Sequence, residues 1–447
     1  MAEAIAFSSF DGGVKAQAVR ERPTHYRDLE APNTSSTPYA IARGGGFSYA
    51  AASFRDGSLV QDMGLFNRIV EFDPHNARIR VEAGITFGDL LSFLVPRGWW
   101  LPVCPGYPLI TIGGAIAANV HGKSPAADGI FEDWVESLLV FHPSHGFQAL
   151  SRSDGAPAFW LTVGGLGLTG LIVQASLRIE RLPRRQVSVS RRTVQSFEET
   201  VELLLGGDGT RFQYSWHDIS QKAGSERGFL FGGEFADGGD NNHPGQADWQ
   251  VRACPRSERL LARRPPVGLM TGTVAAAMNA LYRRAVGRKP ERHEEDLFSF
   301  LFPFSRQHVY FSLFGRKGFC EYQMLVRSEA VHPFLKALRR VLTESGDTIV
   351  FASLKRFSGK TRNLTFRGDG IAIAIDFPRN GKSADLLRRL DQVVKETESL
   401  PYLIKDSRLP RSVVEATYPE YGKFLSDLMA YDPQRRYRSE LSDRLGL

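Results

Sequence analysis

PGYPLITIGGAIAANVHGK, the sequence of residues 105–123, combines two adjacent glycines with a run of small residues. Gly113 and Gly114 open the run, and the triplet His121-Gly122-Lys123 ends it. Because glycine has no Cβ, a backbone built this way can lie close to a flat or phosphorylated ligand. The histidine and the lysine add hydrogen-bond donors and positive charge. The stretch therefore predicts a cradle for a cofactor.

Two further glycine clusters lie within the same half of the chain. Residues 43–49 read RGGGFSY, where successive glycines can present several backbone N–H groups to an anion. Residues 163–170 read VGGLGLTG. Three such clusters in one α+β region indicate one long ligand that is contacted at several points.

The third cluster also matches the pattern GxGxxG, but its context excludes a Rossmann dinucleotide site. That fingerprint needs a following helix and an acidic residue about 20 positions on. Residues 171–179 have the β-type sequence LIVQASLRI, and the expected acidic position falls among Arg184 and Arg185.

Bulk properties bound the class of protein. A chain of 447 residues is long enough for two domains. It has no apolar run long enough to span a membrane, and its first residues predict no secretory signal. Cys104, Cys254 and Cys320 are odd in number and far apart, which predicts no disulfide framework, no metal site and a cytoplasmic location. The net charge of +7 comes without a nucleic-acid motif, so no nucleic-acid partner is expected.

The first part of the chain, to about Pro183, reads as α+β. A capping box at Thr86 and Asp89 predicts a helix that ends at Leu94. Short β-type runs are bounded by turn residues, at 58–62, 68–72, 77–82, 136–142 and 170–180.

The second part predicts another α+β domain on an antiparallel sheet. It has amphipathic helices at 196–205, 329–345 and 384–399, and a buried strand at 370–377. The interval 224–295 is rich in glycine and arginine and is expected to be poorly defined. Within it, residues 267–285 have a helical apolar face beside arginines. An ordinary surface helix or lid is the favoured reading, and a helix lying on a membrane surface stays open.

Together the glycine motifs resemble the vanillyl-alcohol oxidase/p-cresol methylhydroxylase superfamily of flavoproteins, and within it the decaprenylphosphoryl-β-D-ribose 2′-oxidase family. The most specific matches are TIGGAIAANVHGK at 111–123, FWLTVGGLGLTG at 159–170, GFCEYQ at 318–323 and YLIKDSR at 402–408. The resemblance implies an FAD-binding domain over 1–185, an α+β cap domain over 186–400, and a segment 401–447 that returns to the FAD domain.

The resemblance also implies roles for individual residues. Catalysis would fall to His121, Lys355 and Lys405, any of which could be the base, and substrate contacts to Lys123, Gln323 and Phe357. The residues implied to hold FAD are Ala42, Arg43, Gly44, Gly45, Gly46, Phe47, Ser48, Tyr49, Gly106, Thr111, Ile112, Gly113, Gly114, Ala118, Asn119, Val120, His121, Ile172 and Tyr402.

Four positions refine that picture. Many relatives carry at position 47 a histidine bonded covalently to the flavin, and Phe47 cannot form that bond, so FAD should be non-covalent. The family has polar pocket residues where this chain has Leu301, Ala372 and Ala374. These replacements leave the flavin site intact and bear on the identity of the substrate.

The expected activity is FAD-dependent oxidation of the 2′-hydroxyl of a polyprenyl-phosphate-linked ribose to a keto sugar. This is the first half of an epimerisation to the arabinose donor of the cell envelope. A separate NAD(P)H-dependent reductase would be the partner, and the enzyme could work peripherally at the inner face of the membrane. The alternatives are a soluble FAD-dependent sugar, alditol or aldonolactone oxidase that uses oxygen, and a non-enzymatic nucleotide-binding protein.

Overall fold

The computed structural model describes residues 3–30, 37–207, 209–220, 226–236, 255–306 and 308–447, so Cys254 lies outside the described residues. These residues form the mixed α+β structure that the sequence predicts. The strands are β1 Glu3–Ser8, β2 Lys15–Glu21, β3 Ala40–Arg43, β4 Leu59–Asp62, β5 Ile69–Asp73, β6 Arg78–Glu82, β7 Trp99–Trp100, β8 Val135–His142, β9 Gly146–Ser151, β10 Leu171–Arg178, β11 Glu180–Arg181, β12 Gln186–Val194, β13 Phe212–His217, β14 Gly228–Phe235, β15 Arg292–Asp296, β16 Phe319–Arg327, β17 Phe351–Phe357, β18 Gly370–Pro378 and β19 Leu400–Pro401.

The helices pack on and between the sheets. The α-helices are α1 Tyr26–Glu30, α2 Phe87–Leu94, α3 Ile112–Ala118, α4 Pro157–Thr162, α5 Phe197–Gly206, α6 Ser257–Ala262, α7 Gly272–Gly287, α8 Leu297–Leu301, α9 His308–Ser312, α10 Val331–Ser345, α11 Ser383–Glu396, α12 Arg411–Thr417, α13 Tyr421–Tyr431 and α14 Glu440–Leu445. In the described ranges, no helix is long and apolar enough to cross a membrane.

Most strands belong to one of three larger sheets. A four-stranded sheet has the order β1-β2-β4-β3, with β2 and β3 both parallel to β4. A five-stranded antiparallel sheet has the order β5-β6-β10-β8-β9. An eight-stranded antiparallel sheet has the order β15-β12-β14-β13-β17-β18-β16-β19. The domain boundaries at residues 185 and 400 stay predictions.

The predicted elements are found close to their expected positions, with two corrections. The Thr86 hydroxyl caps α2 by accepting a hydrogen bond from the amide of Asp89 at 3.1 Å, as predicted. The helix expected over 267–285 begins only at Gly272, because two prolines and a glycine at 265, 266 and 268 disfavour helical backbone. The interval 224–295 is ordered where it is described, since it holds β14, α6, α7 and β15.

Alternation along the central strands of the eight-stranded sheet separates a core face from a cavity face. In β18, Ile373 and Ile375 are buried in a core shared with α10 and α11. Ala374 and Asp376 point to the other face, where they line a cavity. Successive side chains of a strand face opposite sides, so one short strand supplies both core and site.

The end of the chain packs against the first sheet. Tyr437 forms a parallel bridge with Ala40 of β3, whose amide donates to the carbonyl of Arg436 at 2.8 Å. The amide of Glu440 donates to the carbonyl of Phe54 at 2.9 Å. These bonds attach the last residues of the chain to the start of β3 and to the segment that follows β3.

Candidate active site

A cavity of about 550 Å³ runs from the glycine-rich loop after β3 to the inner face of the eight-stranded sheet. Residues 42–49, the turn at 104–107 and α3 bound one end of it. Side chains of β13, β16, β17 and β18 bound the other end. Sites for small ligands and cofactors typically occupy roughly 300–1,000 Å³. The lining suits a long ligand that is held by backbone at the glycine-rich segments and by side chains at the sheet.

The glycines of the first end let two segments approach each other. A Cβ on Gly44 would lie 2.1 Å from Thr111 Oγ1, and one on Gly45 would lie 2.4 Å from the carbonyl oxygen of Leu109. Thr111 also caps α3 by accepting a hydrogen bond from the amide of Gly114 at 3.2 Å. Backbone therefore bounds the cavity here, and this cradle fits FAD.

Arg43 and α6 fix the loop from outside. The buried Arg43 guanidinium donates to Glu258 Oε1 at 3.1 Å and to Ser53 Oγ at 2.9 Å. The Ser257 hydroxyl donates to the carbonyl of Gly45 at 2.8 Å. Sequence reasoning missed these contacts of Ser257 and Glu258 with the loop, because α6 lies in the interval that was expected to be poorly defined.

Most of the residues predicted to form the site line the cavity. They are Ala42, Arg43, Gly44, Gly45, Gly46, Phe47, Ser48, Tyr49, Gly106, Thr111, Gly113, Gly114, Ala118, Val120, His121, Lys123, Ile172, Gln323, Lys355, Tyr402 and Lys405.

Three of the predicted residues do not line the cavity and lie behind its wall. Ile112 is fully buried in the core under α3. Asn119 ends α3 in a left-handed conformation, and its side-chain amide exchanges two hydrogen bonds with Glu132, at 2.8 and 2.9 Å. Phe357 packs edge-on against the ring of His121, with ring centroids 4.9 Å apart. These residues support the wall and do not form it.

His121 is a neutral group with both ring nitrogens engaged. Its Nδ1 lies 3.1 Å from the carbonyl oxygen of Gly122, which can only accept, so Nδ1 carries the proton. Its Nε2 lies 3.2 Å from Gln323 Nε2 and accepts the amide hydrogen. Burial and the nearby charge of Lys355 hold the pKa of His121 well below its usual value.

Lys123 and Lys355 bring uncompensated positive charge to the same wall. Burial, with the charge of Lys355, lowers the pKa of Lys123 to about 7, and its Nζ lies 4.1 Å from the ring centroid of Tyr214. Burial, with the charge of Lys405, lowers the pKa of Lys355 to about 8, and its Nζ donates to the carbonyl of Gly122 at 3.3 Å. Within the described residues neither amine forms an ion pair, so an anionic ligand would stabilise both.

Lys405 differs because it has a carboxylate partner. Its Nζ donates to Glu321 Oε2 at 3.2 Å and lies 4.2 Å from the ring centroid of Tyr49. Burial opposes the charge, but Glu321 and Tyr49 outweigh that effect and raise the pKa of Lys405 above its usual value. Lys405 therefore carries a fixed positive charge.

A carboxyl pair at the cavity was missed by sequence reasoning. Asp376 lies directly opposite Glu321 in the pairing of β16 with β18. Burial and the charge of Glu321 raise the pKa of Asp376 well above its usual value, and the Tyr310 hydroxyl donates to Asp376 Oδ2 at 2.8 Å. The two-residue period of β16 could have placed Glu321 on the same face as Gln323, but only the register of β16 with β18 brings Asp376 opposite it.

The positions that depart from the family pattern do not all lie at the cavity. Ala372 and Ala374 line the cavity, so its wall is small and apolar at these two positions. Leu301 is buried in the core next to β12, so its predicted place in the pocket is wrong. Phe47 lines the cavity and packs against Tyr107, with ring centroids 4.7 Å apart.

Known proteins support the cofactor and the reaction class. A family model described as an FAD binding domain matches residues 33–146. The chain is 29% identical over 415 residues to decaprenylphosphoryl-beta-D-ribose oxidase of Mycolicibacterium smegmatis, covering 91% of this chain and 89% of that protein. It is 27% identical over 380 residues to an uncharacterized protein of Streptomyces coelicolor, covering 81% of this chain and 100% of that protein.

A shorter similarity is confined to part of the chain. D-lactate dehydrogenase of Anaerostipes hadrus is 25% identical over 138 residues, which cover 30% of this chain and 29% of that protein. These similarities confirm the resemblance to ribose-oxidase-like FAD flavoproteins. The chain is an FAD-dependent oxidoreductase, and the non-covalent binding of FAD stays a prediction.

Proposed function

We propose that this FAD-dependent oxidoreductase converts the 2′-hydroxyl of a polyprenyl-phosphate-linked ribose to a ketone. The observation that carries the proposal is the cluster of Lys123, Lys355 and Lys405 in the wall of the cavity, where residues 121–123 meet the eight-stranded sheet. Only one of these amines has a carboxylate partner in the described part of the chain. A sugar joined to a phosphate would supply the missing negative charge. The similarity to the mycobacterial ribose oxidase supports the same substrate class.

The chain's own groups divide the chemical work. When bound, FAD supplies the hydride acceptor for the oxidation of an alcohol. The reaction also releases the hydroxyl proton, and we infer that Lys355 accepts it, since a pKa of about 8 leaves part of the amine neutral near neutral pH. Lys405 keeps its proton, so it would stabilise negative charge that develops on the substrate oxygen.

Substrate binding falls to the remaining polar groups and to an apolar wall. Lys123 would bind the phosphate as a point charge. His121, whose two ring nitrogens are engaged by Gly122 and Gln323, would hold the Gln323 amide in place beside the sugar. Aromatic side chains beside Lys123 line the cavity and suit the first units of a prenyl chain; they are Tyr214, Trp216 and Tyr282.

The chemistry of the keto sugar product indicates which enzyme must act next. A keto sugar keeps no configuration at the oxidised carbon, so a hydride delivered to its other face gives the inverted alcohol. We infer that an NAD(P)H-dependent reductase performs this second step and yields the arabinose donor.

Anaerobic flavin reduction tests the proposal. The FAD-loaded protein is mixed with prenyl-phosphate ribose, with its 2-deoxy analogue, and with free ribose, an alditol and an aldonolactone, and flavin absorbance is followed. We expect bleaching with prenyl-phosphate ribose alone, because the 2-deoxy analogue has the phosphate but no hydroxyl to oxidise. Equal or faster bleaching with a free sugar, alditol or lactone would replace the proposal with the small-substrate oxidase.

A further inference from the structure

Large apolar side chains are exposed beside the cavity. Val267 and Leu269, in the turn before α7, are 72% and 56% exposed. Leu281 of α7 is 69% exposed, and Val309 of α9 is 71% exposed. The turn is fixed beside α9, because the amides of Leu269 and Met270 both donate to the carbonyl of Leu313, at 2.7 and 3.0 Å. Val267 and Leu269 are therefore held beside the segment that continues α9, and we group them with Val309 as one apolar face.

The same region concentrates the positive charge of the protein. Residues 255–292 contain nine arginines and lysines and two glutamates, a surplus equal to the net charge of the whole chain, +7. Arg284 and Arg288 follow Leu281 along α7 at helical spacing and are exposed. We call Val267, Leu269, Leu281, Arg284, Arg288 and Val309 the basic apolar surface.

Helix α7 connects this surface with the cavity. Its Met278, Asn279 and Tyr282 line the cavity, while Leu281 and Arg284 lie on its exposed side. The buried Asn279 amide anchors the helix by donating to Asp218 Oδ1 at 2.8 Å and to the carbonyl of Val350 at 2.6 Å. Helix α7 thus has the cavity on one side and the part of the basic apolar surface formed by Leu281 and Arg284 on the other.

We propose that the basic apolar surface docks the protein on an anionic lipid bilayer. Apolar side chains enter the headgroup boundary and arginines pair with lipid phosphates, a combination typical of interfacial binding. Charge complementarity favours a bilayer over a second copy of this chain, which would bring two basic faces together. The proposal extends the proposed function. It depends on that function for one point only, which is that the substrate is lipid-linked and enters beside α7.

Vesicle flotation of the full-length, FAD-loaded protein tests the docking. We expect binding to phosphatidylglycerol vesicles, weak binding to phosphatidylcholine vesicles, and a loss of binding as salt increases. The double variant Arg284→Gln/Arg288→Gln should bind about thirtyfold more weakly, since each basic residue near an anionic surface contributes roughly a factor of five. The triple variant Val267→Ser/Leu269→Ser/Val309→Ser should lose binding at all salt concentrations.

Matched controls separate this surface from general charge and hydrophobicity. Arg388→Gln removes an arginine whose side chain is 76% exposed on α11, and Leu65→Ser removes an apolar residue that is 44% exposed elsewhere. Both should bind vesicles as the wild type does, and flavin absorbance and gel filtration check the fold of every variant.

The outcomes are distinct. Absence of binding to phosphatidylglycerol, or wild-type binding by both surface variants, overturns the proposal. A triple variant that changes only the oligomeric state assigns the surface to a contact between copies. The vesicles contain no sugar substrate, so docking can hold even if prenyl-phosphate ribose is not oxidised, and it can fail while oxidation stands.

Discussion

Replacing Glu321 with Gln tests how the cavity keeps a buried lysine charged. The change preserves shape and removes the negative charge that lies 3.2 Å from Lys405 Nζ. The two side chains are only 12% and 26% exposed, so water replaces little of the lost interaction. Removal of one partner of a buried ion pair costs about 3–5 kcal/mol. Because this pair borders a cavity, we expect the free energy of unfolding to fall by about 2 kcal/mol near neutral pH.

The pH dependence gives the prediction its sign. In the wild type the folded-state pKa of Lys405 lies above its unfolded value of 10.5, so the stabilisation persists until pH rises through the folded-state pKa. In the variant burial acts without Glu321 to oppose it, and we expect it to lower the pKa of Lys405 below that unfolded value. The unfolded chain then binds more protons, and the variant gains stability as pH rises. The destabilisation should shrink between about pH 7 and about pH 10.

Urea unfolding of wild type, Glu321→Gln, Lys405→Met and the double variant provides the assay. We expect a coupling energy of about 2 kcal/mol near neutral pH from the double-mutant cycle. Additive single variants, or a Glu321→Gln effect of the same size at both pH values, would refute the claim that this carboxylate holds Lys405 charged.

Four shorter predictions concern the rest of the site. Gly44→Val should abolish FAD retention, because its Cβ would lie 2.1 Å from Thr111 Oγ1. Retention is measured as the flavin-to-protein absorbance ratio. The control Gly422→Ala should retain FAD, because the space around its added Cβ is open. Lys355→Met should slow substrate-dependent flavin reduction about 100-fold. The wild-type rate should rise as pH increases through about 8, the pKa of Lys355, and the variant rate should not. Lys123→Met should flatten the pH dependence of the free energy of unfolding measured in urea. The pKa of Lys123 is about 7 in the folded wild type and 10.5 in the unfolded chain. Between these values the wild type should gain up to about 1.4 kcal/mol of stability for each unit by which pH rises. Acid denaturation should release all flavin to the supernatant because Phe47 cannot bond to it, and fluorescence that stays with the chain on a denaturing gel would contradict this.

Sequence patterns predicted the glycine cradle because it depends on local backbone. Gly44, Gly113 and Gly114 lie where a side chain would collide or fill the cavity, and that requirement is written in the sequence itself. Ile112 and Asn119 belong to the same motif but face the core and the end of α3. A motif gives neighbours along the chain, and the helix decides which of them face the ligand.

The cap end depends on contacts that no local pattern shows. Asp376 and Glu321 are 55 positions apart in sequence and meet only through the register of β16 with β18. Helix α7 lies in a segment rich in glycine and arginine, and buried hydrogen bonds from Asn279 to distant partners fix it. Tertiary packing of this kind outweighs local propensity, so the interval looked poorly defined from sequence alone.

An isotope measurement tests the central claim, that the lysine-lined end of the cavity holds a sugar whose 2′-carbon gives up its hydrogen. Prenyl-phosphate ribose with deuterium on that carbon is mixed anaerobically with the FAD-loaded protein, and the rate of flavin bleaching is compared with that of unlabelled substrate. Deuterium at C2 should slow bleaching several-fold, and deuterium at C3 should leave the rate unchanged. An isotope effect from C3 alone, or no bleaching with either compound, would contradict the account.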